Sequence, residues 1–193
     1  MREVLRSYLA EKHIELTDEQ FSKWTSLFLE KKIKKHEFLL KEGEFSKHFY
    51  FTVSGCLRLY TIDNKGKEHI MQFAPENWWI GDIESTTNNS PSAYFIDALE
   101  DSDVLSMDII AWEKSMNDIP PLALLFQRLM QNRQTVSQKR IINSMSATSE
   151  ERYHEFMKTY PSVAQRIPQH MIASYLGITP ESLSRIRKQM VSR

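Results

Sequence analysis

Between residues 33 and 108 apolar and polar positions alternate, a period of two that predicts short β-strands. The expected strands are Ile33, Phe38-Leu39-Leu40, residues 49–53, Cys56-Leu57-Arg58-Leu59-Tyr60, residues 70–73, Trp78-Trp79-Ile80, Tyr94-Phe95-Ile96 and Val104-Leu105-Ser106-Met107. Turn signals separate them at Lys41-Glu42-Gly43-Glu44, Ser54-Gly55 and Asp63-Asn64-Lys65-Gly66. Many short antiparallel strands predict a sandwich or jelly roll, and a pocket between its sheets is the natural place for a small ligand.

On either side the period is helical. Leu5 and Leu9 mark one helix, and Thr17-Asp18-Glu19-Gln20 starts another with Phe21, Trp24, Leu27 and Phe28 on one face. Ile109, Trp112 and Met116 form a short helix that Pro120-Pro121 interrupts before starting the next. From Leu122 to about Met145 there is neither Pro nor Gly, so a helix of about 24 residues would run about 36 Å. Leu122, Leu125, Leu129, Val136 and Asn143 fall on a seven-residue repeat with Asn132 in its middle. That stripe is longer than the adjoining sheets can cover, which favours dimerisation, with a buried Asn pair able to set register; packing on its own domain is the alternative.

The C-terminal stretch is punctuated more sharply. Thr148-Ser149-Glu150-Glu151 is a capping signal for a helix with Tyr153, Phe156, Met157 and Tyr160 inside, ended by Pro161. After Ile167-Pro168, Ile172, Ala173 and Leu176 make one short apolar face. Gly177 can take φ > 0 and end that helix, and Thr179-Pro180 supplies an N-cap and a first-turn proline for the next. In that last helix Leu183, Ile186 and Met190 point inward and Glu181, Ser182, Ser184, Arg185 and Lys188 outward. Helix, tight turn, helix with such a polar start fits a helix-turn-helix that enters the DNA major groove; an ordinary αα-corner is the bland alternative. Small and polar residues around 144–149 mark the hinge.

The chain has 193 residues, 41% of them hydrophobic, enough for one large domain or two small ones. Net charge is zero but unevenly spread: residues 1–120 carry 14 Lys and Arg against 21 Asp and Glu, residues 121–193 carry 11 against 4. An acidic half that senses or meets partners and a basic half suited to a polyanion are expected. The single cysteine, Cys56, excludes an intrachain disulfide framework or a four-cysteine iron–sulfur or zinc site within these residues. Charges interrupt residues 1–20 and no apolar run reaches membrane-spanning length, so a cytoplasmic protein without a membrane partner is expected.

The run Phe38-Leu39-Leu40-Lys41-Glu42-Gly43-Glu44, then Tyr50 through Tyr60, then Ile80-Gly81-Asp82, then the C-terminal helix-turn-helix, resembles the Crp/Fnr family of bacterial transcription regulators over nearly the whole chain. The resemblance implies an α+β fold: an N-terminal double-stranded β-helix, the jelly roll of cyclic-nucleotide-binding domains, over residues 1–118; a dimerisation helix and hinge over 119–146; and a winged-helix-like DNA-binding domain over 147–193. The sequence ends at Arg193, before the β-hairpin wing of many relatives, so the wing is expected to be absent or the chain truncated.

Family members that bind cyclic nucleotides carry an Arg in the segment after Gly-Glu, and it neutralises the phosphate. Here Gly81, Asp82, Ile83 and Glu84, followed by Ser92 and Ala93, hold the implied ligand positions with no basic residue from 81 to 93. Burying a phosphate beside carboxylates without a counter-charge is costly, so cyclic AMP and GMP are disfavoured. Either another small-molecule effector binds or side chains such as Trp78, Trp79 and Tyr94 fill the space. Thr135 lies roughly where relatives reach from the long helix into the pocket.

His36, His48 and His69 are too sparse for a cupin-like metal site, with no His-x-His pair, and no Gly-x-Ser-x-Gly or phosphate-loop sequence occurs, so catalysis and a resident cofactor or metal are not expected. The rival readings are a ligand-binding β-roll without DNA function and a β-roll enzyme. On the favoured one, Glu181 and Arg185 match the family's base-reading positions, for Glu accepts from cytosine N4 and Arg holds guanine O6 and N7. Pro180 replaces a further Arg of some members, so the operator should differ. Gln169, His170, Thr179, Ser182, Ser184, Arg187 and Lys188 are candidates for the helix start and for backbone contacts. A homodimer on double-stranded DNA is expected, with RNA polymerase and an unidentified effector as candidate partners and half-sites about one helical turn apart.

Overall fold

The structure, a computed structural model, describes residues 2–191. The question of a wing after the last helix lies outside the described residues. Two helices open the chain, α1 (Arg2–Glu11) and α2 (Asp18–Thr25). The Thr17 hydroxyl accepts from Gln20 N while the Gln20 side chain accepts from Thr17 N, the reciprocal cap its spacing predicts. Leu27 and Phe28, expected on that helix, lie beyond its end.

Eight strands follow, seven of them where the period-two pattern places them and the first beginning four residues before Ile33: β1 (Leu29–Ile33), β2 (Phe38–Leu40), β3 (His48–Ser54), β4 (Leu57–Ile62), β5 (Glu68–Ala74), β6 (Trp79–Ile80), β7 (Phe95–Ala98) and β8 (Ser102–Asp108). They form two antiparallel four-stranded sheets, ordered β1-β8-β3-β6 and β2-β7-β4-β5. The sheets enclose Leu40, Tyr50, Leu57, Leu59, Ile80, Ile96 and Val104. Opposite β4, β5 skips Met71, for Leu59 pairs with Gln72 and Tyr60 with Ile70. That bulge puts Ile70 and Phe73, three residues apart, among the same cluster of buried side chains on the sheet's outer side.

Between β6 and β7 the chain forms α3 (Ile83–Asn88), capped by Asp82 and closed by Asn89 in the left-handed region (φ 47°). The pattern of apolar positions does not predict this helix. After β8, α4 (Ile109–Asp118) leads to α5 (Pro120–Ser146), 27 residues long. The head comprises α6 (Ser149–Thr159), capped by Thr148 and Glu151 as expected, α7 (Gln169–Leu176) and α8 (Pro180–Val191).

The seam expected along α5 is divided by its own packing. Leu122 and Leu125 are 1% and 0% exposed and belong to a core with Leu5, Trp24, Phe49 and Trp112, so they are not available to a second chain. Leu129 packs against the same core. Among the described residues α5 leaves Leu124, Val136, Ile141, Ile142 and Met145 exposed, and of these Val136 belongs to the expected stripe. A 100° step per residue puts Leu124, Gln131, Thr135, Gln138, Ile142 and Met145 along one outward face.

Candidate functional site

The head presents α8 outward on a short apolar base. Leu183 and Ile186 are buried against α7, and Met171, Ile172 and Ala173 are buried beneath it. Gly177 takes φ 65°, which an L side chain resists, and its N–H closes α7 on Ala173 O and Ser174 O. The Thr179 hydroxyl caps α8 by accepting from Ser182 N at 3.3 Å. This turn fixes a shallow groove lined by Gln169, Pro180, Glu181, Ser184, Arg185, Lys188 and Gln189. Six of these were singled out from sequence; Gln189 was missed, although it lies one turn beyond Arg185. His170 is exposed at the start of α7, Arg187 is half-buried, and Thr179 and Ser182 serve the cap. Backbone N–H at the head of α8 and the Thr179 hydroxyl hold the Glu181 carboxyl below its usual range, so it is an anionic acceptor at neutral pH.

A second concavity, about 490 Å³, lies where the β-roll, α5 and the head meet. Aromatic rings make much of its wall: Phe49, Trp78, Trp79, Tyr94, Trp112 and Phe126, with Tyr160 and Tyr175 from the head. Trp78, Trp79 and Tyr94 therefore line a cavity instead of filling it. Gly81 and Ile83 line it as expected, and a Cβ at Gly81 would collide with the Phe49 ring. The other ligand positions are used differently. Asp82 is 3% exposed and accepts from Ser85 N and from the Ser92 hydroxyl, making both part of a structural cap. Glu84 and Ala93 are exposed outside the lining, and Thr135 points along the outward face of α5, its hydroxyl donating to Gln131 O. Asn132, Arg133, Val136 and Ser137 line the cavity from α5 instead.

The acidic character expected of the pocket is thereby corrected. Residues 81–93 carry no cation, but α5 brings Arg133 to 3.5 Å from Gly81 O and Arg140 to Met71 O and Tyr175 O at 2.6 and 3.1 Å. Arg133 is exposed along its length, yet its guanidinium is crowded enough that desolvation lowers its pKa from the usual value, with Asp82 opposing. Arg140 also lies 4.0 Å from the Tyr175 ring centroid, so one side chain ties α5 to β5 and α7. Among the described residues no group of three His, Cys, Asp or Glu side chains could hold a metal ion.

Residues 30–118 match the cyclic nucleotide-binding domain model. The fumarate and nitrate reduction regulatory protein of Vibrio cholerae is 29% identical over 167 residues, which are 81% of this chain and 66% of that relative. FixK2 of Bradyrhizobium japonicum superposes with a TM-score of 0.75 at 21% identity, covering 86% of this chain and 85% of its own. A chain described as a regulator of the crp/fnr family, from Eubacterium rectale, gives 0.68 at 20% identity, over 96% and 88%. The chain shares its fold with a regulator of the Crp/Fnr family. The fold shows jelly roll, central helix and helix-turn-helix in that order, and the match spans 66% of the Vibrio relative.

Within this chain the head does not hang free. Tyr153, Phe156, Tyr160, Ile167, Met171 and Tyr175 share one core with Cys56, Tyr60, Ile70, Phe73 and Leu99 of the roll. The Ser174 hydroxyl donates to Glu68 O at 2.8 Å and accepts from Ile70 N at 3.1 Å. Arg166 forms ion pairs with Glu76 and Glu100. Arg58, 5% exposed, holds Asp97 at 2.7 and 2.9 Å, pairs also with Glu68, and has its NH1 3.7 Å from Met171 Sδ. Periodicity did not foresee this interface, because it shows which residues are buried but not against which partner.

Proposed function

We propose that this chain is a homodimeric, sequence-specific DNA-binding regulator of transcription, with residues 1–118 as sensor, 119–146 as dimerisation helix and hinge, and 147–193 as the reading head. The observation that carries this reading is the groove at the start of α8, where Gln169, Glu181, Ser184, Arg185 and Lys188 converge on one outward surface. Arg185 and Glu181 are four residues apart on that surface, spaced to meet neighbouring base edges, and the polar groups around them suit phosphate oxygens. The relatives are named as regulatory proteins, which favours a regulator over an enzyme. The dimer contact is assigned to the outward face of α5 with Leu124, Ile142 and Met145, not to Leu122 and Leu125. The cavity is assigned to a small-molecule effector met by cations from α5, since the segment from 81 to 93 supplies none.

Selection from a random duplex pool, followed by anisotropy titrations at several salt concentrations, tests the proposal. A selected pseudo-palindrome should bind far more tightly than a scrambled duplex, with affinity falling as salt rises. Arg185→Ala should cost about 1–3 kcal/mol at one base position and relax selectivity there. Equal affinity for selected and scrambled duplexes at every salt concentration would overturn the reading.

A further inference from the structure

The cavity's charges are unbalanced in one direction. Its lining includes Lys12, Arg133 and Arg140 against a single carboxylate, Glu11, which pairs with Lys12 at 3.0 Å. Among the described residues neither arginine hydrogen-bonds a carboxylate: Arg133 donates to the Gly81 carbonyl, with Asp82 near enough to favour its charge, and Arg140 to the carbonyl oxygens of Ile70, Met71 and Tyr175 beside its ring contact. A crowded guanidinium without a carboxylate hydrogen-bond partner favours an anion beside it. Nine aromatic side chains contribute to the wall, which favours a flat ring that can stack at an offset or meet a ring edge.

We infer that the cavity binds a planar aromatic monoanion of one or two fused rings, its carboxylate held by Arg133 and its ring seated among Trp78, Trp79 and Tyr94. The assignment rests on the cavity being the effector site. A volume of about 490 Å³ is ample for such a molecule. Arg133 and Arg140 are seven residues apart on α5, about 10 Å along the helix, so a single carboxylate meets one of them and the ring extends toward the other. Since Tyr160 and Tyr175 belong to the head, the bound ring would touch roll, central helix and head together.

Calorimetry and tryptophan fluorescence on the full chain, with 1-naphthoate and phenylacetate as probes, test this. The neutral amides of the two acids and cyclic AMP serve as comparisons. One of the acids should bind at least about tenfold more tightly than its amide, because a guanidinium–carboxylate bond is lost with the charge. Arg133→Gln should remove that preference, and Arg133→Lys should restore part of it, with thermal melting unchanged in the absence of probe. Equal binding of acid and amide, an unaltered preference in Arg133→Gln, tighter binding of cyclic AMP, or no binding of either acid at millimolar concentration would overturn the inference. Selective DNA binding is measured separately on the same preparations. Its loss with the acid still bound would sink the DNA-reading proposal and leave the anion site standing; binding of the acid without any effect on DNA affinity would overturn the effector role on which the inference rests.

Discussion

The Cys56 thiol lies between the roll and the head, 1% exposed, and burial pushes its pKa up to about 12, with Glu100 adding to the cost of a thiolate. The reactive form is therefore scarce in the folded chain at neutral pH. A thiol-specific disulfide reagent at pH 8 should label Cys56 slowly in the native protein and rapidly in denaturant; equal rates would contradict the packing. Linkage gives the sign: the unfolded thiol loses its proton near its ordinary value of 9.0 while the folded one keeps it. This contribution to stability is complete below about pH 9 and is lost as pH rises toward 12. Arg133 teaches a different lesson at the same scale. A search confined to residues 81–93 finds no cation, and the guanidinium at that place comes from about fifty residues further on. Its signal was present, for Arg133 and Arg140 interrupt the inward stripe of α5 seven residues apart, where apolar side chains would be expected.

Among the elements, α5 carries the clearest division of labour. Its length and its start at Pro120-Pro121 were legible, but the heptad stripe could not distinguish a face buried in its own chain from one offered to another. Packing decides it: Leu125 is fully buried and Ile142 is 60% exposed. Leu125→Ala should lower stability by about 2–5 kcal/mol in urea titrations, as a cavity opens in the core. Ile142→Lys should leave helicity intact and shift sedimentation toward single chains, the reverse of what the predicted seam implies. The helix α3 was illegible for another reason. Ser85, Thr86, Thr87 and Asn88 are poor helix formers, and one capping carboxylate, Asp82, with tertiary bonds from Ser46 N to Ser85 Oγ, outweighs them.

At the scale of the whole molecule, order and type of parts were readable, whereas the docking of head on roll was not. The charge asymmetry between the two halves is partly resolved inside the molecule, since Arg166 of the basic half pairs with Glu76 and Glu100 of the acidic half. These pairs are about one-third exposed and each contributes little alone. The apolar contact matters more: Phe73 is fully buried beneath Phe156, Tyr160 and Tyr175. A chain cut after Ser146 should expose that sheet face, bind a hydrophobic dye and aggregate more readily than the full chain. A well-behaved fragment that binds no dye would mean the head covers nothing essential.

Strand β4 is a party wall. Leu57 and Leu59 face the interior of the roll, while Arg58 and Tyr60 face the head. Adding or deleting one residue there would exchange the two tenants, driving a guanidinium into oil and leaving leucines against Asp97 and Glu68. Side chains on either side can drift over time, but the count of residues along this wall cannot.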